Sequence, residues 1–158
     1  MDPSKSRSTE EERLIERLHE VFGDLPYPGD DNLAVDCGPD RGYIEDILRG
    51  KKWTELTAAE MVKIKDYQAF LTRDALRYYM PAYIKCGFDD GEDAEEVAFF
   101  VHILFLRPAE DDYWREKFTV FTDRELKLLR EYAEFCRSRD ADFPEPWDRA
   151  FEGYWGNV

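Results

Sequence analysis

Between Arg73 and Phe88 the apolar residues fall at Leu76, Tyr79, Met80, Tyr83 and Ile84. Steps of three and four residues put them on one side of an α-helix, so the segment predicts a helix with one buried face. Pro81 lies inside it. A proline in a helix interior removes an N–H and clashes with the carbonyl four residues back, at a cost of about 3 kcal/mol. Yet the pattern crosses Pro81 without a phase change. Two arrangements satisfy it: one helix kinked over Arg77–Pro81, or a second helix with Pro81 in its first turn. In either, this aromatic-rich segment is the one around which the rest of the chain packs.

Other helices are marked by their ends. Ser8 and Thr9 are followed three residues later by Glu11 and Glu12, a capping-box pattern. The face behind it is Leu14, Leu18, Val21, Phe22 and Leu25, with an end near Gly23. Tyr43 to Leu48 predicts a short helix with Ile44, Ile47 and Leu48 inward and Gly50 as its stop. Thr57 and Glu60 form a second capping box, for a helix to about Tyr67 with Met61 and Ile64 inward. Thr72 is the N-cap of the central segment.

Ala94 to Leu106 is apolar on nearly every side, which predicts a helix central in the core or covered by a partner. Pro108 ends it. The clearest boundary is Phe121–Leu126, where Thr122 is the N-cap, Glu125 is N3, and Phe121 and Leu126 are the hydrophobic staple. The inner face of that helix reads Leu126, Leu129, Tyr132, Ala133, Cys136, and the outer face Arg124, Lys127, Arg130, Arg137, Arg139. A last short helix from Pro146 returns Trp147, Phe151 and Trp155 to the domain. No alternating strand pattern with hairpin turns is present. The fold class predicted is all-α: one compact helical bundle of six to eight helices over residues 9–158, with a proline-interrupted central helix and a flexible tail over residues 1–8. No internal repeat is visible.

Two connections read as irregular. Residues 25–42, LPYPGDDNLAVDCGPDRG, are rich in turn-forming residues and long for a compact domain. From Asp24 to Asp46 seven acids face a single base, Arg41. Asp30-Asp31-Asn32 lacks the alternating carboxylates and closing Glu of a calcium loop, so Tyr27 and Leu33 are expected to pin this loop while its acids face water. Residues 107–120 form the second connection.

Composition narrows the function. The 158-residue chain is 43% hydrophobic and 15% aromatic, which suits a folded domain and not a disordered one. Its net charge of −14 disfavours nucleic acid and anionic membranes and leaves basic proteins, metals or neutral ligands as candidate partners; the simpler alternative is that the charge only keeps the chain in solution. The polar start MDPSKSRSTEEER has no apolar core of a signal peptide. Cys37, Cys86 and Cys136 show no C-x-x-C spacing, so a cytoplasmic protein with free thiols is expected.

Catalytic signatures are missing: no H-E-x-x-H, G-x-S-x-G, P-loop or dinucleotide fingerprint occurs. His102 reads as a hydrogen-bonded core residue, and nothing in the sequence pairs it with Cys86 or Cys136. No catalytic, metal or cofactor residues are assigned. One small constellation stands out. Arg73 and Arg77 lie one turn apart, and with Tyr78 and Trp53 they could line a pocket for an anionic group. The simpler alternative pairs these arginines with acids of the 24–46 loop. Asp30, Asp31, Trp53, Arg73, Arg77 and Tyr78 are therefore the candidate contact residues.

Four motifs occur in order: Tyr27–Leu33 (YPGDDNL), Gly50-Lys51-Lys52-Trp53, Ala75–Tyr83 with its YYMPAY core, and Phe121-Thr122 before the last long helix. In these the chain resembles an uncharacterised bacterial family, a domain of unknown function, over roughly residues 14 to 138. The resemblance implies a bacterial origin and a single compact domain, and no activity. The expected function is a small acidic protein-binding module, in its concrete form an immunity-like, toxin-neutralising protein. The alternative is a small-ligand receptor or enzyme with a pocket beside the central helix. The oligomeric state is left open.

Overall fold

The computed structural model describes residues 7–158. Among the described residues eight α-helices follow one another: α1 (Thr9–Phe22), α2 (Pro39–Leu48), α3 (Ala58–Met61), α4 (Arg73–Cys86), α5 (Glu92–Leu106), α6 (Asp112–Lys117), α7 (Asp123–Arg139) and α8 (Pro144–Gly153). Short 3-10 turns link them, and among the described residues the only extended pairing is a one-residue antiparallel bridge, Ala34 to Leu71. The fold is all-α, as the patterning predicts.

The central segment is one helix. Thr72 caps it, accepting from the Ala75 N–H, and it runs unbroken through Pro81 to Cys86, so no second helix begins at the proline. Ten of its fourteen residues are buried, far more than one face. A helix enclosed this fully must satisfy its polar atoms inside. The Tyr79 hydroxyl donates to the carbonyls of Leu48 (3.1 Å) and Lys51 (2.8 Å), Tyr83 to that of Ile64 (2.7 Å), and the Cys86 thiol to that of Leu56 (3.4 Å). α4 is thereby tied to the end of α2 and to both sides of α3.

The caps fall where the sequence puts them. Ser8 with Glu11, Thr57 with Glu60, and Thr122 with Glu125 each form the reciprocal pair of bonds. Ser8 thus belongs to α1, and Arg7 pairs with Asp89; residues 1–6 of the expected tail lie outside the described residues. Gly23 closes α1, and Gly50 follows α2 with φ +73°, a backbone shape that favours glycine.

Four boundaries differ. α2 starts at Pro39, not Tyr43, because Gly38 at φ +73° turns the chain and Pro39 supplies a preset first-turn φ. α3 stops at Met61 and tightens into a 3-10 turn. The carbonyls of Ile64 and Lys65, which a longer helix would use, accept instead from Tyr83 and from the Gln68 amide. The 107–120 connection contains α6, capped by Asp111, which accepts from the Tyr113 N–H. α8 starts at Pro144, two residues before Pro146. In α7 the buried side includes Leu128 and Phe135, while Leu126 is only half-buried.

The aromatic C-terminal stretch closes the core. Trp147 and Trp155 are fully enclosed, and the Trp155 indole donates to the Phe105 carbonyl (2.8 Å) while its ring stacks on Phe105. Among the described residues no buried side-chain nitrogen or oxygen lacks a partner, and no helix is long and apolar enough to cross a membrane.

Candidate functional site

α4 carries Arg73 in its first turn and Arg77 one turn on, as the spacing predicts. Both guanidinium groups are engaged by protein. Arg77 forks the Glu125 carboxylate, with Nε at 2.8 and 3.1 Å and Nη2 at 2.7 Å. Glu125 is almost wholly buried, and the same carboxylate accepts from the Thr122 N–H at 2.9 Å. One glutamate thus caps α7 and locks α7 to α4. It also raises the pKa of Arg77, since the hydrogen-bonded carboxylate favours the cation. Arg73 donates to Glu116 (2.8 Å) and Thr119 (2.8 Å) at the surface. The partners are therefore acids of residues 116–125, not of the 24–46 loop. In this geometry each guanidinium already has a carboxylate partner.

The other candidate residues separate. Trp53 is buried and donates through its indole to the Phe22 carbonyl (3.2 Å). Tyr78 is buried edge-on between Tyr27 and Tyr79. Asp30 accepts from the Tyr27 hydroxyl (2.6 Å), which in turn accepts from the Gly50 N–H (2.8 Å). Leu33 is fully buried, and the Thr72 hydroxyl donates to the Asn32 carbonyl (2.8 Å), so the loop is pinned at Tyr27 and Leu33. Asp31 is exposed. Arg77 and Tyr78 share a cleft of about 210 Å³, completed by residues 25–28 and by Asp74, whose charge opposes an anionic ligand.

The two buried thiols, Cys86 and Cys136, and the internal histidine carry no nucleophile. Burial pushes the Cys86 thiol up to about 12 and raises Cys136 well above its ordinary value. A protonated, buried thiol is inert. His102 sits against Tyr132 and Trp147 with Nδ1 3.5 Å from Asp140. Burial lowers its pKa in spite of that carboxylate. Among the described residues no three His, Cys, Asp or Glu side chains are placed to hold a metal ion.

Three surfaces are missed by the sequence reading. A concavity of about 630 Å³ lies between α7 and the end of the chain and is lined by Arg115, Lys127, Asp123, Leu126 and Tyr154 among others. Arg115 there is already fixed by the carbonyls of Pro108 and Ala109 and by Asp112. A second groove, about 510 Å³, has exposed Phe99 on its rim with Asp90 and Glu95. The third is a row of rings, Tyr43 against Tyr67 (6.0 Å) and Tyr67 against Phe70 (5.8 Å), with Tyr43 exposed. Alternation and helical spacing do not reveal the row, because its members come from α2 and from the turns before α4.

No curated protein and no solved structure matches the chain. A family profile does match, over residues 39–158, beginning after the YPGDDNL loop and running through the aromatic C-terminal stretch. The chain belongs to that family, a family of unknown function (DUF6714).

Proposed function

We propose that this chain is a cytoplasmic protein-binding module that engages a basic partner, in its concrete form an immunity-like protein that occupies a toxin. The observation that supports this most is how the charge is distributed. Arginines are spent inside the molecule: Arg77 on Glu125, Arg13 and Arg17 on Glu131, Arg137 on Asp148. Asp90, Glu92, Asp93 and Glu95 stay exposed without an ion-pair partner among the described residues. With a net charge of −14, such a surface speeds encounter with a basic protein and loses that advantage in salt. Two arginines already neutralised give the alternative, an anion receptor beside α4, no comparable support.

The test is affinity capture from a bacterial lysate on the immobilised chain at low and high salt, with the captured proteins identified. Basic proteins held at low salt and released at high salt are expected, and co-expression should relieve the toxicity of any toxin among them. Capture of nothing, or of proteins without basic bias, would remove the reading.

A further inference from the structure

Tyr43 on α2 is 43% exposed and meets Tyr67 edge-on, and Tyr67 in turn meets Phe70. Both of the latter are only half-buried. The row is held rigidly: the Val35 N–H donates to the Phe70 carbonyl (2.8 Å), and Leu71 pairs with Ala34 in the bridge that precedes α4. Asp40 and Asp66 flank it. Their negative charge bears on the Tyr67 hydroxyl and raises its pKa. The nearby cation on α2, Arg41, is turned to Glu45 (3.4 Å).

Ring faces carry negative electrostatic potential, and carboxylates beside them add to it. Such a surface attracts a cation that can also lie flat on a ring. A guanidinium is planar, weakly hydrated and permanently charged, so it fits better than an ammonium, which holds its water. Resting on the binding-module reading, we propose that the face formed by Tyr43, Tyr67 and Phe70 between Asp40 and Asp66 receives an arginine of the basic partner protein. The partner is then recognised by an arginine-bearing segment at this face, and the remaining acids contribute long-range attraction.

The probe is an arginine nonapeptide, with a lysine nonapeptide beside it, titrated at physiological salt. Wild type should bind the arginine peptide more tightly than the lysine peptide. The ring resonances of Tyr43 and Tyr67 should shift, and alkylation of Cys37, the half-exposed thiol near Asp40, should slow. Tyr43→Ala with Asp40→Asn should weaken arginine-peptide binding about tenfold, the scale of one ring contact and one charge. Asp142→Asn with Glu145→Gln removes more charge from exposed positions near α8 and should change binding less than about twofold. Should Tyr43→Ala with Asp40→Asn fail to fold, Asp40→Asn with Asp66→Asn serves in its place. Equal losses in the two variants, or equal affinity for both peptides, would overturn the arginine face while leaving a diffuse acidic binding surface. No binding of either peptide by the wild type would overturn both.

Discussion

α4 and α5 touch where Gly87 meets Ala98, so closely that a Cβ on Gly87 would lie 3.2 Å from the Ala98 Cα and Cβ. They use their apolar residues differently. α5 is the more hydrophobic helix, yet five of its fifteen residues are buried, against ten of fourteen in α4. Phe99 stands 60% exposed, and Phe100, Ile103 and Leu106 are only half-buried, with the Lys65 ammonium lying 5.2 Å over the Phe100 ring. Of the two positions expected for an apolar helix, the centre of the core is taken by α4 and not by α5. The reason is polar. The Tyr79 and Tyr83 hydroxyls lower the hydropathy of α4, but they bond the carbonyls of Leu48, Lys51 and Ile64 and hold the end of α2 and the turn after α3 against it. A side chain without such a handle, such as Phe99, is kept inside only by contact area.

The sharpest way to break this comparison is at the polar link from α4 to α7. Arg77→Met leaves the Glu125 carboxylate buried beside its capping N–H groups without a countercharge. Breaking a buried pair from one side costs about 3 kcal/mol, somewhat less here because the Arg77 side chain is 31% exposed. Arg73→Met, whose partner Glu116 is 70% exposed, should cost less than about 0.5 kcal/mol. Urea midpoints at constant m-value measure both. Equal effects would mean that burial of Glu125 carries no weight.

Next in size is Tyr83→Phe. It keeps the ring and removes the one hydroxyl that meets the Ile64 carbonyl in the interior, leaving that carbonyl only the Tyr67 N–H (3.2 Å), at a cost of about 1 kcal/mol. Amide exchange of residues 62–67 should quicken more than the global change accounts for, since this bond helps to end α3. Unchanged exchange there would show that α3 stops for another reason.

A smaller effect comes from His102 on α5. Burial holds its folded pKa below the ordinary 6.5, so the folded state favours the neutral ring. The unfolded chain then binds the proton more readily. The contribution is complete above 6.5 and is lost as pH falls through 6.5 toward the folded value. Below about 4.5 the lowered pKa values of Glu131 and Glu60, held by Arg13 and Arg17 and by Lys51, add losses of the same sign. His102→Gln should flatten the stability profile just below pH 6.5 and leave the acid limb unchanged. An unaltered slope near 6.5 would show that His102 titrates as it does in the unfolded chain.

These residues also show what the sequence can carry. Ser8, Thr57, Thr72 and Thr122 were legible as caps because a cap needs only residue types at fixed short separations. The central helix was legible through its spacing, including the phase kept across Pro81. What could not be read is every choice made across distance. The sequence marks Glu125 as N3 of α7, but its selection by Arg77, 48 residues away, depends on how α4 and α7 meet. The same holds for Tyr43 with Tyr67, and for Tyr83, whose bond to Ile64 shortens α3. With 36 acids in the chain, proximity in sequence was a poor guide to which of them an arginine would take.

The smallest expected effect is at Phe99, and the comparison depends on it being small. Phe99→Ser removes an aromatic ring whose nearest ring partner is Phe100, edge-on at 5.4 Å. A fully buried phenylalanine truncated in this way costs about 3–5 kcal/mol. At 60% exposure most of that area is already in water, and serine loses helix propensity by less than about 0.5 kcal/mol relative to alanine. Both losses are small and of the same sign, so the urea midpoint should shift by no more than about 1 kcal/mol equivalent. Retention on a hydrophobic-interaction column should nonetheless fall, because the ring is one of the large apolar groups that water reaches. A loss of 2 kcal/mol or more, on the order expected of a core phenylalanine, would place Phe99 in the interior and make α5 as enclosed as α4.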